Sequence, residues 1–150
     1  EELNKKIESL CADLTDTVVF ITADHGHIDI QMDFFEENYP DFTKMLVRPV
    51  SIEPRGISFY VKDEFIPVFK ERFLELFGSD YLIFSKEEVF QNKLFGPGNP
   101  HPNLTGIGDF IAPAIGTKTM FWNKTSPIFK SHHAGLTSQE MKIPLIVVEK

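Results

Sequence analysis

A chain of 150 residues with 42% hydrophobic content and 15 phenylalanines can bury a core of ordinary single-domain size, which argues against disorder. Its formal net charge of −7 argues against a nucleic-acid backbone or an anionic membrane as the main partner, because both recruit clustered Lys and Arg. The single cysteine, Cys11, has no internal disulfide partner, and no run approaches the roughly 18 apolar residues of a membrane span, so a cytoplasmic location is expected.

Leu3, Ile7, Leu10 and Leu14 recur at three- and four-residue steps and predict a helix that packs against a sheet. Thr17 to Thr22 is rich in β-branched and aromatic residues and reads as a strand buried on both faces. The stretch 28–41, with its acids and Phe34, Phe35 and Tyr39, reads as an active-site loop leading into a short helical turn. Leu46 to Ile52 and Ile57 to Val61 predict a hairpin around Glu53-Pro54-Arg55-Gly56, with Arg55 at the surface.

Asp63 is placed to cap a helix whose stripe of Phe65, Phe69, Phe73, Leu76 and Phe77 runs to a stop at Gly78. A strand is expected from Tyr81 to Phe84. Ser85 with Glu88 forms a capping-box pattern for a short helix to about Asn92. The Gly- and Pro-rich stretch 95–103 predicts a loop, with His101 exposed or lining a cleft. Gly108 to Ile115 predicts a strand, with Asp109 in a structural role, and Thr119 to Trp122 is expected to pair with it. Sequons at Asn103-Leu104-Thr105 and Asn123-Lys124-Thr125 are weak three-residue matches.

The chemistry-bearing residues sit near the two ends. Asp24, His25 and His27 follow the first strand, where open α/β sheets place ligands. An anionic oxygen beside an imidazole nitrogen suits zinc, manganese or iron better than calcium or magnesium. Gly26 permits a sharp turn, and His27 could act as an outer donor orienting a carboxylate. Taken alone, these residues fit a solvated polar loop equally well. The second stretch runs from Ser131-His132-His133-Ala134-Gly135-Leu136 through a short polar segment to the strand Pro144-Leu145-Ile146-Val147-Val148.

In residues and in order, the two stretches resemble the alkaline phosphatase superfamily, most closely its type I phosphodiesterase and nucleotide pyrophosphatase branch. The resemblance covers both ends of the chain well and the middle loosely. It implies that Asp24 and His25 bind one divalent ion and His133 a second, with His27 behind them and His132 beside the substrate cleft. Ala134 departs from the pattern, since a glycine is usual there.

The implied fold is α/β: the C-terminal part of an alkaline phosphatase-like sheet (1–30 and 131–150) with an inserted small α+β unit of hairpin, helix and strand (45–122). The nucleophilic Thr or Ser and the remaining ligands lie, in that family, upstream of the Asp-His-Gly strand. The chain is therefore expected to be the C-terminal portion of a metal-dependent phosphodiesterase or nucleotide pyrophosphatase, inactive alone, with the N-terminal part of the same protein as its partner. Two divalent ions, zinc first and manganese second, and a phosphate-ester or nucleotide substrate follow from the same resemblance. A sulfatase, a phosphoglycerate mutase-like enzyme, or a non-catalytic capping or assembly module are the alternatives.

Overall fold

A computed structural model of the chain describes residues 2–99, 101, 104 and 106–150. In chain order the elements begin with helix α1 (Glu2–Cys11), strands β1 (Val18–Thr22), β2 (Ile28–Asp29) and β3 (Gln31–Phe34), and helices α2 (Phe35–Asn38) and α3 (Pro40–Thr43). Strands β4 (Ser51–Glu53) and β5 (Gly56–Phe59), helix α4 (Ile66–Phe77), strand β6 (Phe84–Ser85) and helix α5 (Lys86–Gln91) follow. The chain closes with β7 (Phe110–Pro113), β8 (Lys118–Phe121), β9 (Ser131–His132), helix α6 (Ser138–Met141) and β10 (Leu145–Glu149). In the Gly- and Pro-rich loop, Pro100, Pro102, Asn103 and Thr105 lie outside the described residues, and so does most of the first sequon.

Four strands form one antiparallel sheet in the order β4-β5-β7-β6. Helix α4 lies against it because Phe69, Phe73 and Phe77 recur at four-residue steps, and all three are buried. Their rings meet Phe35, Phe42 and Phe59 in tilted and edge-on contacts, with Phe35 edge-on to Phe59 at 5.9 Å and Phe42 edge-on to Phe77 at 5.3 Å. Each well-oriented aromatic pair adds about 0.5–1.5 kcal/mol beyond its buried area, so this cluster is the mechanical base of the fold. The predicted capping box forms as read: Ser85 accepts from the Glu88 N–H while the Glu88 carboxylate accepts from the Ser85 N–H. Asp109 is structural, accepting from the Val61 N–H at 2.8 Å.

Several expectations are corrected. Strand β1 alternates exposed and half-buried rather than being covered on both faces, and Phe20 is 66% exposed. It pairs antiparallel with β10 as a two-stranded ribbon, so one edge and much of both faces lie open. Helix α1 buries Cys11, but Leu3 and Leu10 are exposed, and Ile7, Cys11 and Val148 line a cavity between the helix and the ribbon. The stretch 28–41 is not a loop: β3 pairs in parallel with β8, which therefore does not pair with β7. The reason is a turn at 115–117, where the N–H groups of Ile115 and Gly116 both bond the Asp80 carbonyl and swing the chain toward Gln31. Asp63 opens a short 3-10 turn (Asp63–Phe65) without a side-chain cap, the 46–50 stretch is not strand, and the segment expected at 81–84 narrows to β6 plus an isolated bridge from Tyr81 to Ala114.

Candidate metal centre

Two loops make the site. The first, residues 23–27, leaves the end of β1, and the second, residues 133–137, leaves β9 and enters α6. Because β1 and β10 are antiparallel neighbours and β2 pairs with β9, the two loops are carried to the same rim. They are then pinned together: the Gly26 N–H donates to the Glu140 carbonyl at 2.8 Å, and the Gly135 N–H donates to Glu140 Oε1 at 2.8 Å.

Glu140 and Arg55 are the clamp. The Arg55 guanidinium is fully buried, contrary to its expected surface position. It donates from Nε and Nη2 to the two Glu140 carboxylate oxygens at 2.7 and 2.8 Å, and to the carbonyls of Gly116 and Lys118 and the Thr119 hydroxyl. Burial alone would raise the Glu140 pKa, but hydrogen bonds from Arg55, Thr137 and the Gly135 N–H outweigh it and hold the carboxyl at about 2. An arginine in water would be cheaper than this one, so its burial is explained only by full pairing.

The structure brings four histidines together. The rings of His25 and His133 stack with centroids 3.8 Å apart and planes 4° from parallel. His27 lies 5.2 Å from the first and 5.1 Å from the second, and His132 lies 5.2 Å from His133. His25 Nδ1 is 3.0 Å from the Gly26 carbonyl, which can only accept, and the tautomer that donates there presents Nε2 as the ligating atom. That Nε2 stands 3.5 Å from Asp24 Oδ2. Two ligand atoms of a tetrahedral zinc ion with bonds of about 2.0 Å are separated by about 3.3 Å, so Asp24 and His25 fit one edge of such a site.

The Asp24 carboxyl is held below the usual carboxylate range by a hydrogen bond to its own backbone N–H and then by the His25 ring. Burial, then the neighbouring His25 and His132 rings, push His133 below the usual histidine value, which keeps its imidazole neutral and able to ligate. His101 is exposed and is not one of the clustered histidines. Sequence reasoning missed Glu53, which it read as a turn residue, and the Arg55–Glu140 clamp, whose partners are far apart in the chain.

Ala134 has φ +81°, a left-handed conformation that favours glycine. Ala134→Gly should therefore raise stability, by on the order of 0.5–1 kcal/mol after the greater freedom of glycine in the unfolded chain is subtracted. Urea unfolding of the two proteins checks this; a lower midpoint for the glycine variant would refute it.

No protein-family model matches the sequence, and no curated protein matches it. Among solved structures, human ectonucleotide pyrophosphatase/phosphodiesterase 5 is similar at a TM-score of 0.67 and 14% identity, over 97% of this chain and 39% of that one. Phosphonoacetate hydrolase from Sinorhizobium meliloti 1021, in complex with phosphonoformate, is similar at 0.65 and 16%, over 97% and 38%. An inactive murine ectonucleotide pyrophosphatase/phosphodiesterase 5 in complex with AMP is similar at 0.59 and 14%, over 96% and 37%. The chain thus spans about two fifths of the length of the proteins whose fold it shares. Over nearly all of its length it has the mixed α/β fold of the corresponding part of the ectonucleotide pyrophosphatase/phosphodiesterase 5 and phosphonoacetate hydrolase structures.

Proposed function

We propose that this chain is the ligand-bearing C-terminal part of a metal-dependent phosphodiesterase or nucleotide pyrophosphatase-type hydrolase, in which Asp24 and His25 hold one divalent ion and His133 helps hold a second. The observation that carries this reading is the stacking of His25 on His133 at 3.8 Å with Asp24 beside it, inside a fold shared with phosphoester hydrolases. Zinc suits the oxygen and nitrogen donors best, with manganese next. Two such ions, when bound, supply charge stabilisation to an in-line displacement at phosphorus.

This chain's own part is to present neutral imidazoles and one carboxylate on a rim fixed by Glu140 and Arg55. His27 packs behind the stacked pair and orients it, and the substrate is a small phosphate ester or nucleotide. The nucleophile and the remaining ligands come from sequence beyond these 150 residues, in the N-terminal part of the same protein. The open ribbon supports this: Val18, Phe20, Leu145 and Val147 are each at least half exposed, an apolar surface suited to docking of that part. Residues 1–30 and 131–150 then belong to the enzyme's main sheet and 45–122 to an inserted unit.

The test is diester hydrolysis by the longer enzyme and by the 150-residue chain. The longer enzyme should turn over bis(p-nitrophenyl) phosphate and the isolated chain should not, and His133→Ala in the longer enzyme should lower kcat by at least about 100-fold together with its metal content. Unchanged activity and metal content in that variant would favour a non-catalytic module instead.

A further inference from the structure

One face of the histidine cluster offers a donor set that the hydrolytic arrangement uses only through His133. Glu53, His132 and His133 each offer a ligand atom, and the three atoms all lie within 4.8 Å of one another. They arrive from different elements. Glu53 ends β4 at the hairpin turn, and His132 sits on β9, opposite Ile28.

The hairpin is held against the histidine loop by Gly56, since a Cβ there would stand 3.1 Å from the Ala134 carbonyl oxygen. It is fixed from behind by Arg55 and by the Pro54 carbonyl, which accepts from the Tyr81 hydroxyl and the Met120 N–H. The position of Glu53 is thus set by buried groups on either side.

His132 Nδ1 lies 3.1 Å from the His133 carbonyl, an acceptor, and the tautomer that donates there presents Nε2 as the ligating atom. Edge-on contacts with Phe129 at 5.5 Å and Phe121 at 6.0 Å lock the ring plane. Two imidazole nitrogens and one carboxylate oxygen form a donor set used for zinc and for non-haem iron.

We propose that Glu53, His132 and His133 form a divalent transition-metal site of their own, apart from the ion held by Asp24 and His25 and drawing on the same His133 that the hydrolytic reading gives to the second ion. An ion there draws His133 toward the inserted unit, so the two positions compete for this imidazole unless both its nitrogens are engaged. In the 150-residue chain, the three-ligand position wins over the Asp24–His25 pair.

The experiment is titration of the 150-residue chain with Co2+, followed by its visible ligand-field absorption, with Zn2+ added to displace it. One equivalent should bind. Glu53→Gln and His132→Gln should each weaken binding by at least about tenfold with unchanged circular dichroism, while Asp24→Asn should change it by less than about twofold. Wild-type titration by Glu53→Gln, a larger loss in Asp24→Asn than in Glu53→Gln, or no cobalt binding at all would overturn the proposal. The hydrolytic reading is judged separately, by diester turnover and metal content in the longer enzyme with Asp24 or His133 altered.

Discussion

Replacing Glu140 by glutamine should cost about 3–5 kcal/mol of folding stability, because it leaves the Arg55 charge buried without a counter-charge. Arg55 is fully buried and the Glu140 side chain is 1% exposed, so neither can turn to water for solvation. The substitution keeps the volume but removes a charge that holds two guanidinium nitrogens, the Gly135 N–H and the Thr137 hydroxyl. Stabilities of single domains are about 5–15 kcal/mol, so this loss would take much of the total. Urea unfolding followed by circular dichroism measures it, and a loss below about 1 kcal/mol would show that the clamp is not what holds the loops.

The same group sets an acid limit. The folded pKa of Glu140 is depressed from its ordinary 4.5 to about 2, so the folded state binds its proton less readily than the unfolded chain. Its contribution is fully present above about pH 4.5 and drains away as the pH falls toward 2. In Glu140→Gln the slope of stability against pH in that window should flatten relative to the parent. An unchanged slope would mean that other carboxylates dominate.

The parts of the fold legible in the sequence were those governed by local rules. The stripe Phe69, Phe73 and Phe77 and the box Ser85 and Glu88 depend on spacing within a few residues, and both formed as read. The hairpin around Pro54 and Gly56 did so too, since its turn chemistry is local. Parallel pairing of β3 with β8 was not legible, because four-residue strands joined through a distant segment leave little periodic signal. Arg55 was misread for a related reason: an arginine is buried only when a partner is supplied, and Glu140 is 85 positions away. Within the candidate centre, Asp24, His25 and His133 stood out through their motifs, whereas Glu53 had no motif and entered only through the packing of Gly56 on Ala134.

Gly26→Ala should be the most damaging small substitution near the histidines. A Cβ at this position would overlap the Gln139 carbonyl oxygen and press on Glu140 Cα at 3.3 Å. Both contacts are backbone of α6, which cannot rotate aside as a side chain would. The loop must therefore back away, stretching the bond from the Gly26 N–H to the Glu140 carbonyl.

Overpacking of this kind costs about 1–3 kcal/mol, and a lost buried hydrogen bond adds about 1 kcal/mol. The displacement also carries His25 away from His133. A shift near 1 Å in a reacting constellation can cost on the order of 100-fold in rate, so, if the proposed hydrolytic function holds, diester turnover should fall further than the loss of stability alone accounts for. Gly106→Ala is the matched control, because a Cβ there meets nothing within 4 Å. If the two alanine variants unfold at the same urea concentration, the two loops are not pressed together at Gly26, and the rim that the site requires is looser than the contacts with α6 imply.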